Sequence, residues 1–212
     1  NSQYPMAIKV AAGKINAVTG TSYTNELATN PQDYLVVPKQ PWLDGFCIRK
    51  GLIRQFVAMP LGGGYTAEEQ LTGQAEHGGI QFIVYPMRDE YFEQLQRNRA
   101  ALKSERFDGP EVHMCYSMEM GLAPGGTIRQ QIHDDPYDLE AWDTNKMARC
   151  FVHLANSQAW QSITGEAPPP SPVTKDEYEE QGIPWFDFYF ADSDALEGSA
   201  QLAQLDSVAA KA

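Results

Sequence analysis

The chain has 212 residues, enough for one domain with an appendage, and 42% of them are apolar, as in a globular protein. Its formal net charge of −12 disfavours nucleic acid as a partner, because an acidic surface repels a phosphate backbone. No apolar run approaches the length of about eighteen residues needed to cross a membrane, so we expect no membrane partner either.

Short strands separated by turns are expected through the first half of the chain. Alternating or dense apolar segments predict strands at 6–11, 15–19, 33–37, 42–48, 52–59 and 80–85. A short connection containing Gly51 joins the fourth segment to the fifth, which favours a hairpin. Thr66, with Glu69 three residues later, matches a capping box and predicts a short helix that ends at Gly73.

The second half adds helices and further strands. Acidic residues lead and basic residues trail in the segment 89–105, as the helix dipole prefers, which makes this the clearest helix. Strands are expected at 112–120, 127–133 and 148–154, with a short helix at 157–163. These elements predict an α+β, β-rich fold: a mainly antiparallel β-sandwich or barrel-like sheet with peripheral helices and an extended C-terminal arm.

The composition of the chain changes after Gly165. A proline-rich linker at 166–175 is expected between a β-rich core domain, 1–165, and an acidic, aromatic and helix-prone C-terminal arm, 176–212. Five aromatic residues of this arm form too large an apolar group to stand exposed: Trp185, Phe186, Phe188, Tyr189 and Phe190. We therefore expect the arm to dock, either on its own core or on a neighbouring subunit of a homo-oligomer.

The pentad Gly-x-Ile-Arg-Gln occurs twice, at 51–55 and 126–130, and each copy follows a turn and opens an expected strand. An internal duplication would place the two copies at equivalent positions in a pseudo-symmetric core of two sheets. The alternative is a coincidence between two turn-to-strand openings. In either case the pentad gives information about the architecture of the fold, and it matches no catalytic signature.

Arg54 of the first pentad is the sharpest candidate for a specific contact. Strand alternation places it among apolar neighbours, and a buried guanidinium requires a carboxylate or several carbonyls. Asp44, in the preceding strand, is the expected partner; the functional alternative is that Arg54 anchors the carboxylate or phosphate of a ligand. The candidate ligand-binding residues are Arg54, its counterpart Arg129, and Trp42, whose aromatic face also suits a sugar.

A metal site is the most specific suggestion of enzymatic chemistry. His113 lies on an expected strand, His133 ends a second strand beside two aspartates, and His153 lies on a third. Neutral imidazoles with nearby carboxylates could bind a divalent ion, which would be the only cofactor. No metal-binding spacing supports the site, and surface or satisfied core histidines are the alternative.

The three cysteines cannot all pair within one chain, and Cys150 alternates with Val152 and Leu154, which predicts a buried, reduced thiol. The odd cysteine count, with no visible signal peptide, leans towards a cytoplasmic location. Gly62, Gly63 and Gly64 precede a helix and could cradle a phosphate, but they lack the rest of the phosphate-loop pattern, so a flexible loop is expected.

The sequence contains no nucleophile elbow or other catalytic signature, so the balance leans against an enzyme. The leading hypothesis is a non-catalytic binding or assembly protein whose C-terminal arm docks on its own core or on a neighbouring subunit. A metal-binding β-barrel or sandwich enzyme that uses the histidines is the first alternative. A carbohydrate or small-molecule binding module is the second.

Overall fold

The computed structural model describes residues 4–100, 120–168 and 195–212 of the chain. In these residues the fold is α+β and strand-rich, with antiparallel sheets and a few short helices, as the sequence predicts. The choice between sandwich and barrel stays a prediction. No helix in the described ranges combines the length and the apolar character needed to cross a bilayer.

Eight strands form two antiparallel sheets in the described residues. The larger sheet contains β1 (Met6–Ala12), β2 (Ile15–Asn16), β3 (Leu35–Val37), β6 (Ile80–Pro86) and β8 (Ala148–Val152). Its order is β2-β1-β6-β8, and β3 pairs with β1. The smaller sheet has the order β4-β5-β7 and consists of β4 (Gly45–Arg49), β5 (Leu52–Pro60) and β7 (Met120–Arg129).

The helices are short and lie between or after the strands. They are α1 (Ala67–Thr72), α2 (Asp89–Ala100), a 3-10 turn (Leu139–Ala141), α3 (Ser157–Thr164), α4 (Ala200–Ala203) and α5 (Val208–Lys211). The predicted capping box is confirmed, because Thr66 and Glu69 make both of its reciprocal bonds, and Gly73 caps the end of α1 with φ of +71°. The predicted hairpin of β4 and β5 is also confirmed.

The last strand of the smaller sheet differs most from the sequence-based expectation. The strand predicted at 127–133 instead runs from Met120 to Arg129, so Gly125 and Gly126 lie inside it and do not form a turn before it. Gly125 serves close packing, since a Cβ there would lie 2.6 Å from the Val57 Cγ2 atom of β5. The strand predicted at 112–120 falls almost wholly outside the described residues.

The helix-prone C-terminal segment forms two short helices, α4 and α5, and not one long helix. The side chain of Ser199 accepts the amide of Leu202, and the side chain of Ser207 accepts the amide of Ala210. Each serine therefore starts a new helix, because an N-cap residue takes an extended conformation that interrupts a helix already under way.

The described C-terminal residues are part of the main hydrophobic core. Leu202 and Leu205 are buried in the same cluster as Val10, Phe46 and Ile53. The amide of Ser199 donates to the carbonyl of β4 residue Cys47 at 2.9 Å, which ties the segment to the smaller sheet. The division into a core domain and a separate arm stays a prediction, but residues 195–212 pack on the core of their own chain.

The expectation of a buried Cys150 is wrong. Cys150 is exposed on β8, which is the last strand of the larger sheet in the described residues. Of the two described cysteines, the buried one is Cys47, whose strand is covered on both sides, and burial raises the pKa of this thiol to about 12. A thiol with such a pKa stays protonated near neutral pH and behaves as a small apolar side chain.

A buried ion pair fixes the long loop that connects β2 to β3. The Nζ atom of Lys9 on β1 lies 2.6 Å from a carboxylate oxygen of Asp33, and Lys9 is 0% exposed. Lys9 also donates to the hydroxyl of Thr24 and to the backbone carbonyl of Glu26, while Asp33 accepts the amide of Ala28. One ammonium thus holds three points of the loop, and its charge is fully compensated.

Removing one partner of this ion pair should strongly destabilise the protein. Lys9→Met leaves the Asp33 carboxylate buried without its cation, and we expect the free energy of unfolding in urea to fall by about 3–5 kcal/mol. Lys146→Met, at a lysine whose side chain is 66% exposed, should change it by less than about 1 kcal/mol. Equal losses in the two variants would contradict the assignment.

Candidate functional site

The two pentads pair directly with each other in the smaller sheet. Ile53 lies opposite Ile128, with Leu52 opposite Arg129 and Arg54 opposite Thr127. Because the strands are antiparallel, a local two-fold axis passes through the isoleucine pair and exchanges the copies. Both copies therefore lie in one sheet, which argues against a duplication that gives each sheet its own copy.

The register places both pentad arginines on the same face of this sheet. Residues directly opposite in an antiparallel pair share a face, and residues two apart on one strand share a face as well. Arg54 therefore shares a face with Arg129, and the two are diagonal neighbours. Ile53 points to the other face, where it is fully buried in the main core.

The expected ion pair between Arg54 and Asp44 does not form. Asp44 instead accepts from the side-chain amide of Gln130 at 2.9 Å and from the side chain of Trp42. Burial raises the pKa of the Asp44 carboxyl, and these two hydrogen bonds partly oppose the rise. The amide of Asp44 also donates to Gln130 at 2.9 Å, so that one glutamine satisfies both groups.

The Nε atom of Arg54 is buried and has no hydrogen-bond partner among the described residues. Neither Arg54 nor Arg129 forms an ion pair with another residue in the part of the chain that the structure describes. Arg54 is half-buried beside Phe46, and Arg129 is exposed. An unsatisfied buried donor is rare in proteins and marks either a cost in stability or a place for a ligand.

Trp42 lies close to the second pentad, because Trp42 and Gln130 both bond Asp44. It is half-buried, its side chain bonds Asp44, and its carbonyl accepts from Gln40 at 2.8 Å. Asp44 in turn contacts Gln130, the residue after Arg129. The structure therefore brings Trp42 to the end of the strand that carries Arg129.

Buried glutamines join the segment after β7 to the segment around β3. Gln40 accepts the amide of His133 at 3.0 Å and donates to the carbonyl of Gln131 at 3.2 Å, as a backbone unit of a neighbouring strand would. Gln32 accepts the amide of Asp135 at 2.7 Å and donates to the carbonyl of His133 at 3.4 Å. Together with Gln130 these side chains form what we call the glutamine ladder.

The sequence did not single out any member of the glutamine ladder as a contact residue. The available signal was the final glutamine of the pentad, which is exposed in the first copy, at Gln55, and buried in the second, at Gln130. A repeated motif cannot show this difference, since it arises from a chain segment distant in sequence that covers only one copy.

The candidate metal ligands are not assembled into a site in the described ranges. His133 is buried within the glutamine ladder and its backbone bridges to Ala195, while His153 packs edge-on against the ring of Phe151 at 4.4 Å. His113 lies outside the described residues. Residues 4–100, 120–168 and 195–212 contain no group of three or more His, Cys, Asp or Glu residues placed to hold a metal ion. The metal hypothesis stays a prediction.

The glycine-rich loop before α1 is held in place, contrary to the expectation of a flexible loop. The carboxylate of Glu69 accepts the amides of Gly62 and Gly64, each at 2.8 Å, and the amide of Thr66 at 3.1 Å. Burial alone would raise the pKa of Glu69, but the hydrogen bonds from Thr66 and these amides outweigh it and lower the pKa. A built-in anion thus occupies the amides that a phosphate would need.

The described C-terminal residues contact the rest of the chain through backbone groups. The amide of Leu196 donates to the carbonyl of Ile132 at 2.7 Å, next to the bridge between His133 and Ala195. Gly198 has φ of +79°, and a Cβ there would lie 2.4 Å from the backbone nitrogen of Arg49. The predicted docking residues Trp185, Phe186, Phe188, Tyr189 and Phe190 lie outside the described residues.

Comparison with protein-family models, with curated proteins and with solved structures finds no significant match.

Replacing Arg54 should stabilise the protein in the absence of any ligand. Arg54→Met keeps a long unbranched side chain but removes the unsatisfied Nε donor, whose burial costs about 1–3 kcal/mol. We expect a higher free energy of unfolding by about 1 kcal/mol or more. The matched variant Arg97→Met, on the exposed side of α2, should change it by less than about 0.5 kcal/mol. A clear loss of stability in Arg54→Met would contradict this account.

Proposed function

We propose that this chain is a non-catalytic binding protein whose C-terminal arm docks on its own core, and that it binds a small carboxylate through Arg54 and Arg129. The observation that carries the proposal is the buried Nε atom of Arg54, which lacks a hydrogen-bond partner. A ligand anion that draws the guanidinium out of this position would satisfy the donor and remove its cost.

The chemistry of the arginine pair supports an anionic ligand. A guanidinium presents a planar fork of donors that matches the two oxygens of a carboxylate. Diagonal neighbours on antiparallel strands lie roughly 7–8 Å apart, so two long side chains can converge on one anion. The like charges of Arg54 and Arg129 repel each other on this face, and an anion between them would reverse that penalty.

The size and charge of the ligand follow from the surroundings. The net charge of −12 opposes a polyanion at long range, which favours a ligand that carries one carboxylate. Trp42 is half-buried near the end of β7 and offers an aromatic surface for an apolar ligand body. An aromatic carboxylate such as benzoate is the simplest probe that combines both features. A carbohydrate would use Trp42 but would not need the arginine pair.

Benzoate should raise the melting temperature of the wild-type protein, at constant ionic strength, more than benzyl alcohol does. A ligand at one hundred times its Kd stabilises by about 2.7 kcal/mol. Arg54→Met and Arg129→Met should each abolish most of this increase, because each removes one donor group from the anion. Arg97→Met removes the same charge from α2 and should keep the wild-type response. Benzoate stabilisation that survives Arg54→Met, or that is equally lost in Arg97→Met, would refute the proposal.

The docking of the arm can be tested with two matched glycines. Gly198 and Gly165 have φ of +79° and +74°, so an alanine suffers similar backbone strain at both, but only Gly198 has heavy atoms within 4 Å of its Cβ position. We expect Gly198→Ala to destabilise the protein by at least about 1 kcal/mol more than Gly165→Ala, through overpacking. The molecular mass in solution should stay that of one chain in both variants.

Exchange of the arm between subunits would give a different result in the same experiment. A wild-type mass of two or more chains that falls to one chain in Gly198→Ala would mean that the arm docks on a neighbouring subunit. That outcome would show that the arm assembles subunits and does not dock on its own core. It would not affect the test of the arginine pair.

A further inference from the structure

A second candidate binding site lies above the larger sheet, away from the pentads. A cavity of about 460 Å³ opens between the loop after β2 and the segment that connects the 3-10 turn to β8. This volume is within the range of small-molecule sites, about 300–1,000 Å³. Asn25, Glu26 and Leu27 form one wall, and the buried Tyr85 of β6 contributes to the lining.

The opposite wall concentrates exposed apolar surface. It is formed by Leu139, Thr144 and Met147. Leu139 is 39% exposed and Met147 is 46% exposed, and in the described residues Ile163 is the one other large hydrophobic side chain with comparable exposure. Leu139 and Met147 at the rim of one cavity provide an apolar surface against which the apolar part of a ligand can pack.

Both walls are held in place without a ligand. On one side, Lys9 donates to the carbonyl of Glu26, and the hydroxyl of Tyr85 donates to the carbonyl of Asn25. On the other side, the amide of Asp143 donates to the carbonyl of Pro86 at 2.9 Å, and the amide of Arg88 donates to the carbonyl of Ala141 at 2.8 Å. A preformed cavity requires little ordering when a ligand binds, which favours affinity.

Two polar groups of the cavity can only accept a further hydrogen bond. Tyr85 already donates its one hydroxyl proton to Asn25, so its oxygen can only accept a further bond. The carboxylate of Glu26 can only accept, and it forms no ion pair within the described part of the chain. A ligand that bonds these two groups must therefore supply donors, whereas the side chains of Asn25 and Thr144 can donate as well as accept.

Charges of both signs lie near the cavity, and the one in its lining is the acid Glu26. Burial raises the pKa of Tyr85; the positive charge of Arg149 opposes this rise, while Asp33 and Glu26 add to it, so all three charges act on the cavity. Asp33 is neutralised by Lys9 at 2.6 Å. Arg149 lies on β8 opposite Ile83 and does not line the cavity, whereas Glu26 does. The net charge of −12 adds a long-range attraction for cations.

We propose that this cavity binds a primary ammonium with an apolar body, with the ammonium on Glu26 and the oxygen of Tyr85 and the apolar body against Leu27, Leu139 and Met147. The site is independent of the arginine pair, because the cavity lies over the larger sheet and the arginines lie on the smaller one.

Three ligands with the same alkyl chain test the assignment: hexylammonium, hexan-1-ol and hexanoate, each titrated by calorimetry into the full chain. We expect hexylammonium to bind about threefold to fivefold more tightly than hexan-1-ol, the gain typical of one exposed charge pair. To remove binding at the arginine pair from the comparison, the series is repeated in Arg54→Met. Hexanoate should then be the weakest of the three.

Variants at exposed positions separate the contributions without disturbing the fold. Glu26→Gln should remove the advantage of hexylammonium over hexan-1-ol, and Leu139→Ser should weaken both ligands. Glu93→Gln, an exposed acid on α2, should leave all affinities unchanged. The proposal would be overturned if hexylammonium did not bind. It would also be overturned if hexanoate bound Arg54→Met at least as tightly as hexylammonium does, or if the preference for hexylammonium over hexan-1-ol survived in Glu26→Gln.

Discussion

The buried ion pair between Lys9 and Asp33 organises the side of the protein that carries the cavity. The loop between β2 and β3 has no regular structure over most of its length, so its backbone groups need partners other than a sheet. Lys9 supplies one at Glu26, Asp33 supplies one at Ala28, and Tyr85 supplies one at Asn25. A charge inside the larger sheet is costly unless it is fully compensated, and the loop provides the compensation. The loop and the ion pair therefore stabilise each other.

Side-chain amides likewise hold the segment after β7 in place. The glutamine ladder connects the segment after β7 to the segment around β3 by the hydrogen bonds that a strand would otherwise make. The opposite edge of the same segment bonds Leu196, and the chain then continues to Leu202 in the core. The side-chain amide of Gln130 also donates to the carboxylate of Asp44, so this carboxylate does not pair with Arg54. Among the described residues, Arg54 is thus left without an ion-pair partner.

Local signals in the sequence predicted local structure well, and contacts between distant segments poorly. The capping box at Thr66 and the hairpin around Gly51 follow from a few adjacent residues, and both are confirmed. Gly125 suggested a turn because a glycine signals equally a turn and a close approach of two strands, and only the position of Val57 decides between them. The binding role of Arg54, Arg129 and Trp42 stays a prediction. The expected pairing of Arg54 with Asp44 does not form, because Asp44 bonds Gln130, which lies 86 residues away in sequence. No pattern within a strand can identify such a partner.

The two proposed sites prefer opposite charges, and the net charge of the protein affects them differently. At the cavity, the carboxylate of Glu26 and the overall charge of −12 both attract an ammonium, so added salt screens two favourable contributions. At the arginine pair, the local attraction for a carboxylate works against the overall repulsion, so screening removes one favourable and one unfavourable contribution. The affinity of the arginine site should therefore depend less on ionic strength than that of the cavity. This difference follows from where Glu26 and Arg54 lie and does not require the two sites to communicate.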